Sequence, residues 1–386
     1  MRSFLPPSAC LVPSKTSACL VPSKTSAFSV PGYPSFLQKL AAVTYSQRHH
    51  LHLSAERTRK MVATTTLNVF DTSAKLLQRK RAALQKDSHV YDYVKDEVGL
   101  RLAERVYEIK RDFRTILDLG CGRGHVTRHL DGGEHLERVT LLDSCEDWLK
   151  EAVVNDEIRP SQIDRKCCSL EDPLPFKEDS VELITTNLAL HWVNNLPGLF
   201  QEIKRVLTPD GVFLGTVFGG ETLFELRTSL QLAELEREGG FAAHVSPFAE
   251  GTDLGNLMQN AGFILLTIDS DEIRVNYPSI FELMWDLQGM GENNATWNRR
   301  AHLPRNTIIA ASAIYKELFG NSDGTVPATF HILSMIGWKP DPANPVRVAP
   351  RGSQDASFSE VGNVQEILRQ IEAKQKELDD QLNKKK

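Results

Sequence analysis

The clearest chemical pattern in the chain is Ile116-Leu117-Asp118-Leu119-Gly120-Cys121-Gly122-Arg123-Gly124, an apolar run carrying one carboxylate and ending in alternating glycines. A strand that enters a glycine turn and then a helix lets backbone N–H groups approach a ligand with no Cβ in the way. A dinucleotide fingerprint needs GxGxxG, and its last position holds His125, so pyrophosphate binding is disfavoured. Further on, Val139-Thr140-Leu141-Leu142 ends in Asp143. A carboxylate there can accept bonds from both hydroxyls of a ribose; its plain alternative is a strand-end turn or helix cap.

An acid just before the glycines suits a ligand that bears an ammonium group, such as the methionine end of S-adenosylmethionine. The expected contacts of that cofactor are therefore Asp118, Gly120, Cys121, Gly122, Gly124 and Asp143. Asn187-Leu188-Ala189-Leu190-His191-Trp192 follows an apolar run in the same stretch. Parallel sheets bind ligands at the carboxyl ends of their strands, which makes His191 the candidate catalytic residue; a hydrogen-bonded structural histidine beside a packing tryptophan is the equal alternative. The other histidines show no metal-ligand spacing and no CxxC occurs, so no metal ligand is expected. The glutamates Glu234, Glu236 and Glu238 read as a solvated helix face.

The elements that must position these groups alternate. Short apolar runs at 115–119, 138–143, 163–168, 181–187 and 212–217 are separated by helical stretches, the rhythm of βαβ units and a parallel sheet. Val94, Val98, Leu102 and Val106 lie on one helical face, with Lys95, Glu97, Arg101 and Glu104 off it. Thr222 and Glu225 have capping-box spacing ahead of an apolar stripe that stops at Gly239-Gly240. Residues 278–320 read as an irregular helical insertion and 328–338 as a late strand.

Two further motifs resemble those of class I methyltransferases. Leu174-Pro175-Phe176 before Val181-Glu182-Leu183-Ile184 is similar to their passage into the fourth strand, and Val206-Leu207-Thr208-Pro209-Asp210-Gly211 to their turn before the fifth. The implied fold is α/β and Rossmann-like, with a mostly parallel seven-stranded sheet. In that resemblance the adenine slot falls on Leu170, with Glu171 beside it, in place of the usual Asp.

From Phe218 onward the resemblance narrows. Phe218 to Leu223, Ser229 to Glu234, Arg237 to Phe241, Ser246-Pro247-Phe248, Val275 to Pro278, Asp286 to Glu292 and Ile336 to Lys339 resemble the mitochondrial complex I assembly factor of methyltransferase fold. The resemblance spans about residues 66–340. It implies a matrix protein, peripheral to the inner membrane, whose protein substrate is an iron–sulfur-bearing subunit of the complex I matrix arm. The animal member is regarded as a hydroxylase of an arginine on that subunit. Three activities stay open at this point: arginine hydroxylase, protein methyltransferase, and a non-catalytic assembly chaperone.

Charge completes the organisation. The chain's 45 Lys+Arg nearly balance its 50 Asp+Glu, which excludes a basic nucleic-acid coat. Residues 1–70 carry a formal charge of +7 and the remainder −12. With one acid, Glu56, and many Ser, Thr and Ala, residues 1–60 read as an organellar transit peptide, mitochondrial by the resemblance. The expected organisation continues with an N-terminal helical segment at 61–110 and the cofactor-binding domain at 111–340. A proline-rich linker and amphipathic helix are expected at 341–386.

Overall fold

The computed structural model describes residues 68–131, 135–300 and 302–345. The expected transit peptide and the amphipathic helix near the C-terminus lie outside the described residues. Seven strands form one sheet: β1 (Thr115–Leu119), β2 (Arg138–Asp143), β3 (Ile163–Cys167), β4 (Val181–Asn187), β5 (Leu207–Phe218), β6 (Ile264–Tyr277) and β7 (Val326–Trp338). Their order is β3-β2-β1-β4-β5-β7-β6, and β7 runs antiparallel to both its neighbours while the other pairings are parallel. This is the expected mostly parallel, seven-stranded Rossmann-like sheet. The order reverses between β1 and β4, which opens a crevice at the carboxyl edge where ligands of such sheets bind.

Both faces of the sheet are covered, because β1 and its neighbours are apolar at alternate and adjacent positions alike. On one face, α4 (Leu196–Val206) and α6 (Gly251–Ala261) bury Phe200, Ile203, Leu254 and Met258 with Leu117, Ile184 and Phe213. On the other, α2 (Tyr93–Glu108) buries Leu102 and Val106 with Ile116, Leu183 and Val212. Val98 of α2 continues into a second cluster, with Leu226 and Leu230 of α5 (Phe224–Glu238) and Tyr315 of α8 (Arg305–Phe319). The remaining helices are α1 (Thr72–Ala83), α3 (Glu146–Glu151) and α7 (Ile280–Gly289). Local chemistry starts and stops them: Asp71 Oδ1 accepts from Ala74 N at 3.0 Å ahead of α1, and Asn195 Oδ1 from Gly198 N at 3.1 Å ahead of α4. Gly239 and Gly262 take left-handed conformations where α5 and α6 end. At residues 340–345, Asn344 N donates to Asp341 O at 3.2 Å.

Three local expectations are corrected. Thr222 and Glu225 do not form a capping box. Thr222 Oγ1 donates to the His331 carbonyl at 3.0 Å, Leu223 is left-handed at φ 54°, and the buried Glu225 accepts from Thr329 Oγ1 at 2.6 Å. Pairing with β7 outcompetes the cap because it satisfies backbone groups that burial would orphan. The glycine turn does not lead into a regular helix. Residues 122–129 are consecutive turns, with Gly124 N bonded to Cys121 O and Arg128 N to Gly124 O at 2.9 and 3.1 Å. Gly124 at φ 77° breaks the helical run, and a Cβ there would meet the Val153 carbonyl at 2.1 Å. Lys95 is buried at 6% exposure, not turned off the apolar face of α2 to solvent. The edge strand β6 had no counterpart in the sequence reading, because polar residues such as Asp269, Asp271 and Glu272 dilute its apolar alternation.

Close packing of α2 on the glycine turn positions the crevice. A Cβ at Gly99 would stand 2.1 Å from the His125 carbonyl, and Asn187 Nδ2 donates to the Lys95 carbonyl at 2.8 Å nearby. Gly99→Ala is therefore expected to destabilise the fold by about 1–3 kcal/mol through overpacking. A thermal melt checks this; an unchanged Tm would show that helix and turn are not in register as described.

Candidate functional site

The crevice is built from the ends of β1, β2 and β4. Register pairs Leu119 with Leu142, and Gly120 N donates to the Leu142 carbonyl at 2.7 Å, so the glycine turn hooks over the end of β2. Gly120, Gly122 and Gly124 all have positive φ. Asp143, 1% exposed, receives Gly122 N on Oδ2 at 3.0 Å and Cys145 N on Oδ1 at 2.7 Å. The two carboxylates singled out from sequence thus meet at one turn. Asp118 is fully buried, accepting from Thr185 Oγ1 at 3.2 Å on Oδ1 while Oδ2 has no hydrogen-bond partner. Burial, with Asp143 adding to it, pushes the Asp118 carboxyl up to about 7 against the opposing Thr185 bond.

The remaining candidates fall around this turn. Cys121 is buried, and burial raises its thiol well above the ordinary value. Leu170 is half-buried, and its Cδ1 lies 3.5 Å from where a Cβ on Gly120 would be. Glu171 is exposed, with Oε1 accepting from Asn194 N at 2.7 Å and from Asn194 Nδ2 at 3.1 Å. β4 ends in strain: Leu188, buried, is left-handed at φ 48°, and this bend delivers the short helical turn Leu190–Trp192 to the crevice.

His191 does not stand alone. Its Nε2 lies 3.2 Å from Glu292 Oε2, which also accepts from Trp192 Nε1 at 2.7 Å. Burial lowers the His191 pKa, partly offset by Glu292. The neutral ring then donates from Nε2 to the carboxylate, an assignment made from the hydrogen-bond network, and Nδ1 is a buried acceptor without a partner. Burial acts to raise the Glu292 carboxyl, yet the Lys95 ammonium 2.9 Å from Oε1, with His191 and Lys75 beyond it, holds it well below the usual carboxylate range.

Four of these functional groups were missed in the sequence. Glu292, Lys75, Arg79 and Lys95 converge from α1, α2 and the segment after α7. Lys75 Nζ sits 3.3 Å from the Trp192 ring centroid and donates to the carbonyls of Gly291 and Asn293 at 3.1 and 2.7 Å. Burial lowers its pKa well below that of an ordinary lysine. Arg79 Nη1 stands 3.8 Å from Asp143 Oδ1, and its Nε lacks a partner, as does Arg123 Nη2. The available signal was the paired cations of Lys75 and Arg79, which share a helical face with Ala82. The solvated-face reading of Glu234 is also corrected: it is fully buried and accepts from Ala242 N and His244 Nε2 at 2.6 and 2.7 Å.

Comparison with known proteins places this arrangement. A methyltransferase domain family matches residues 117–215, the stretch that holds the glycine turn, Asp143 and His191. A Danio rerio protein named arginine-hydroxylase NDUFAF5, mitochondrial, is 51% identical over 299 residues, covering 77% of this chain and 91% of its own length. The chain belongs to the NDUFAF5 family. The Homo sapiens protein of that name is 49% identical over 303 residues, covering 78% of this chain and 86% of its own. Outside the NDUFAF5 proteins, a malonyl-[acyl-carrier protein] O-methyltransferase of Halorhodospira halophila is 33% identical over 264 residues, or 67% and 86% of the two chains.

The His191–Glu292 pair gives a spectroscopic prediction. Glu292→Gln removes the charge that offsets burial, so the His191 pKa, already below its ordinary value, should fall further. Histidine-selective 15N NMR titration checks this. A pKa that rises in the variant would mean the ring does not donate to this carboxylate.

Proposed function

We propose that this chain is a mitochondrial enzyme that binds S-adenosylmethionine in the crevice and modifies an arginine of a complex I subunit during assembly. The observation that carries the reading is 51% identity, over 91% of its length, to a protein named mitochondrial arginine-hydroxylase NDUFAF5. The residues present fit the cofactor. Asp118 offers a buried, unpartnered Oδ2 to an ammonium group, and Arg79 Nε and Arg123 Nη2 are unpartnered donors suited to a carboxylate. Gly120, Cys121, Gly122 and Gly124 provide backbone approach, Asp143 the ribose carboxylate, and Leu170 with Glu171 the adenine side. The iron–sulfur-bearing subunit of the matrix arm is the proposed substrate, reached by peripheral association with the inner membrane. No helix among the described residues is long and apolar enough to cross a membrane.

When bound, the cofactor would supply a methyl group by in-line displacement; it has no oxygen atom to transfer, so hydroxylation draws its oxygen and its two-electron oxidation from a separate oxidant of the dioxygen-plus-reductant class. The chain's own contribution is to orient and exclude water. Asp118 and Asp143 fix the two ends of the ligand, α1 covers the crevice through Arg79, and His191 presents Nδ1 as a proton acceptor while Glu292 holds the ring. Methyl transfer is the second reading, supported by the O-methyltransferase that is 33% identical. Mass spectrometry of the substrate arginine from cells with and without this protein separates them. Gain of one oxygen is expected; gain of one methyl would replace the hydroxylase reading, and no change would remove both.

Binding should also depend on pH. Asp118, pushed up to about 7, must be ionised to meet an ammonium, so affinity rises with pH through that value. Between about pH 6 and about pH 8 the ionised fraction grows roughly tenfold, and calorimetry should show a similar gain in affinity. In the free protein the sign is opposite. The folded chain holds a proton that the unfolded chain releases above 3.8, so this group's contribution to stability declines as pH climbs from there to about 7. A pH-independent dissociation constant would separate Asp118 from the cofactor.

A further inference from the structure

Beside the crevice lies a cavity of about 300 Å3, between Leu226 and Leu230 of α5, Phe248, Met284 of α7 and the segment that carries Glu292. Its walls are mainly apolar, and the exposed Trp285 and Gln288 stand at its rim. The cavity presents no unpaired charge. Its lining contains no Lys or Arg, and both ionisable groups there are engaged. His244 Nε2 lies 2.7 Å from Glu234 Oε1, while Glu292 has Lys95 at 2.9 Å on Oε1 and both Trp192 and His191 on Oε2. A charged side chain entering this space would lose its water with no counter-charge in return, whereas an apolar one gains by the same transfer. The cavity also adjoins the crevice. Phe248 lines it, and the ring centroid of Phe248 is 5.8 Å from that of His191. Extended chain advances about 3.3–3.6 Å per residue, so a peptide whose arginine reaches His191 carries the residue one or two positions away over the cavity.

We infer that this cavity is a specificity subsite that takes a large apolar side chain of the substrate protein, one or two residues from the modified arginine. The inference rests on the arginine-modifying reading above and adds the neighbour by which that arginine is chosen. Size, charge and connection agree. The volume is at the lower bound for small-molecule sites, room for one side chain. Removing such a side chain from water favours binding in proportion to its apolar area, with Leu226, Leu230 and Met284 as the walls that receive it. The amides of Gln288 and Asn293, also in the lining, can bond the main chain that carries it.

The test uses the full chain and fluorescein-labelled peptides with one arginine flanked by two glycines on each side, followed by anisotropy. Each glycine is replaced in turn by leucine or by its polar near-isostere asparagine. Leucine at one of the four positions should tighten binding about tenfold or more over the glycine parent, and asparagine at that position should not. Two variants place the effect. Met284→Trp fills the cavity from a half-buried wall position, and Gln288→Trp covers its mouth from an exposed one that the fold tolerates. In each, the ratio of leucine to glycine affinities should fall to near one. No gain at any position, an equal gain from asparagine, or a leucine ratio that survives in Gln288→Trp overturns the subsite. So does competition by N-acetyl-L-leucine methylamide as strong as that of the unlabelled leucine peptide, which would make the cavity a site for a free apolar molecule. The substrate mass measurement keeps the two ideas apart. A modified arginine with any of those four results leaves the arginine-modifying reading standing and removes only the cavity assignment; an unmodified arginine removes the reading itself.

Discussion

The structure at the carboxyl edge depends on one buried carboxylate. Glu292 is contacted by Lys95 from α2, by His191 and Trp192 from the end of β4, and it follows Gly291, whose carbonyl holds Lys75 from α1. Four segments are thereby fixed about a single charge, two of them adjacent in the chain and two remote from them. A carboxylate withdrawn from water is tolerated only when it is paired and hydrogen-bonded, and removing one partner of such a group costs about 3–5 kcal/mol. The ion pairs here are weak evidence for net stability. Their effect is geometric: α2 closes over the sheet so as to set Lys95 against Glu292.

Around that anchor, the sheet topology sets where chemistry can occur. The parallel pairing of β1 with β2 and β4 brings Asp118, Asp143 and the left-handed Leu188 to the same edge. The glycine turn then folds back on β2 through bonds from Gly120 and Cys121 to one carbonyl, that of Leu142. Polar atoms left without partners concentrate there, among them Asp118 Oδ2, Arg79 Nε, Arg123 Nη2 and His191 Nδ1. Buried polar groups are ordinarily satisfied, and a cluster of orphans is a place where the fold gives up stability to keep donors and acceptors for a ligand.

α5, α7 and the segment after α7 enclose a mainly apolar cavity of about 300 Å3. α5 and α8 pack on the far end of β7, and Glu225 ties α5 to Thr329 across that contact. The apolar residues of α5 that remain, Leu226 and Leu230, then face Met284 and Phe248 across the cavity. The same packing that displaced the expected cap at Thr222 thus gives the cavity one of its walls.

Much of the architecture is written in short-range pattern. Apolar runs with turn residues at their ends marked β1 to β5 and β7, the glycine run marked the turn after β1, and Gly239 marked the end of α5, because period and backbone permissiveness are local properties. Asp118 and Asp143 were legible for the same reason: each has a fixed offset from a strand end. The charged residues that line the site were not. Lys95 looked like one more polar position off an apolar face, and Glu234 like a solvated glutamate, since burial of a charge depends on a partner that sequence spacing does not reveal. Lys95 meets the carbonyl of Met290 across 195 residues. The sequence determined six of the seven strands, the glycine turn and the placing of Asp118 and Asp143 at strand ends. Tertiary structure decided which cations and glutamates are withdrawn from water, because only the assembled fold brings each one the partner that makes its burial affordable.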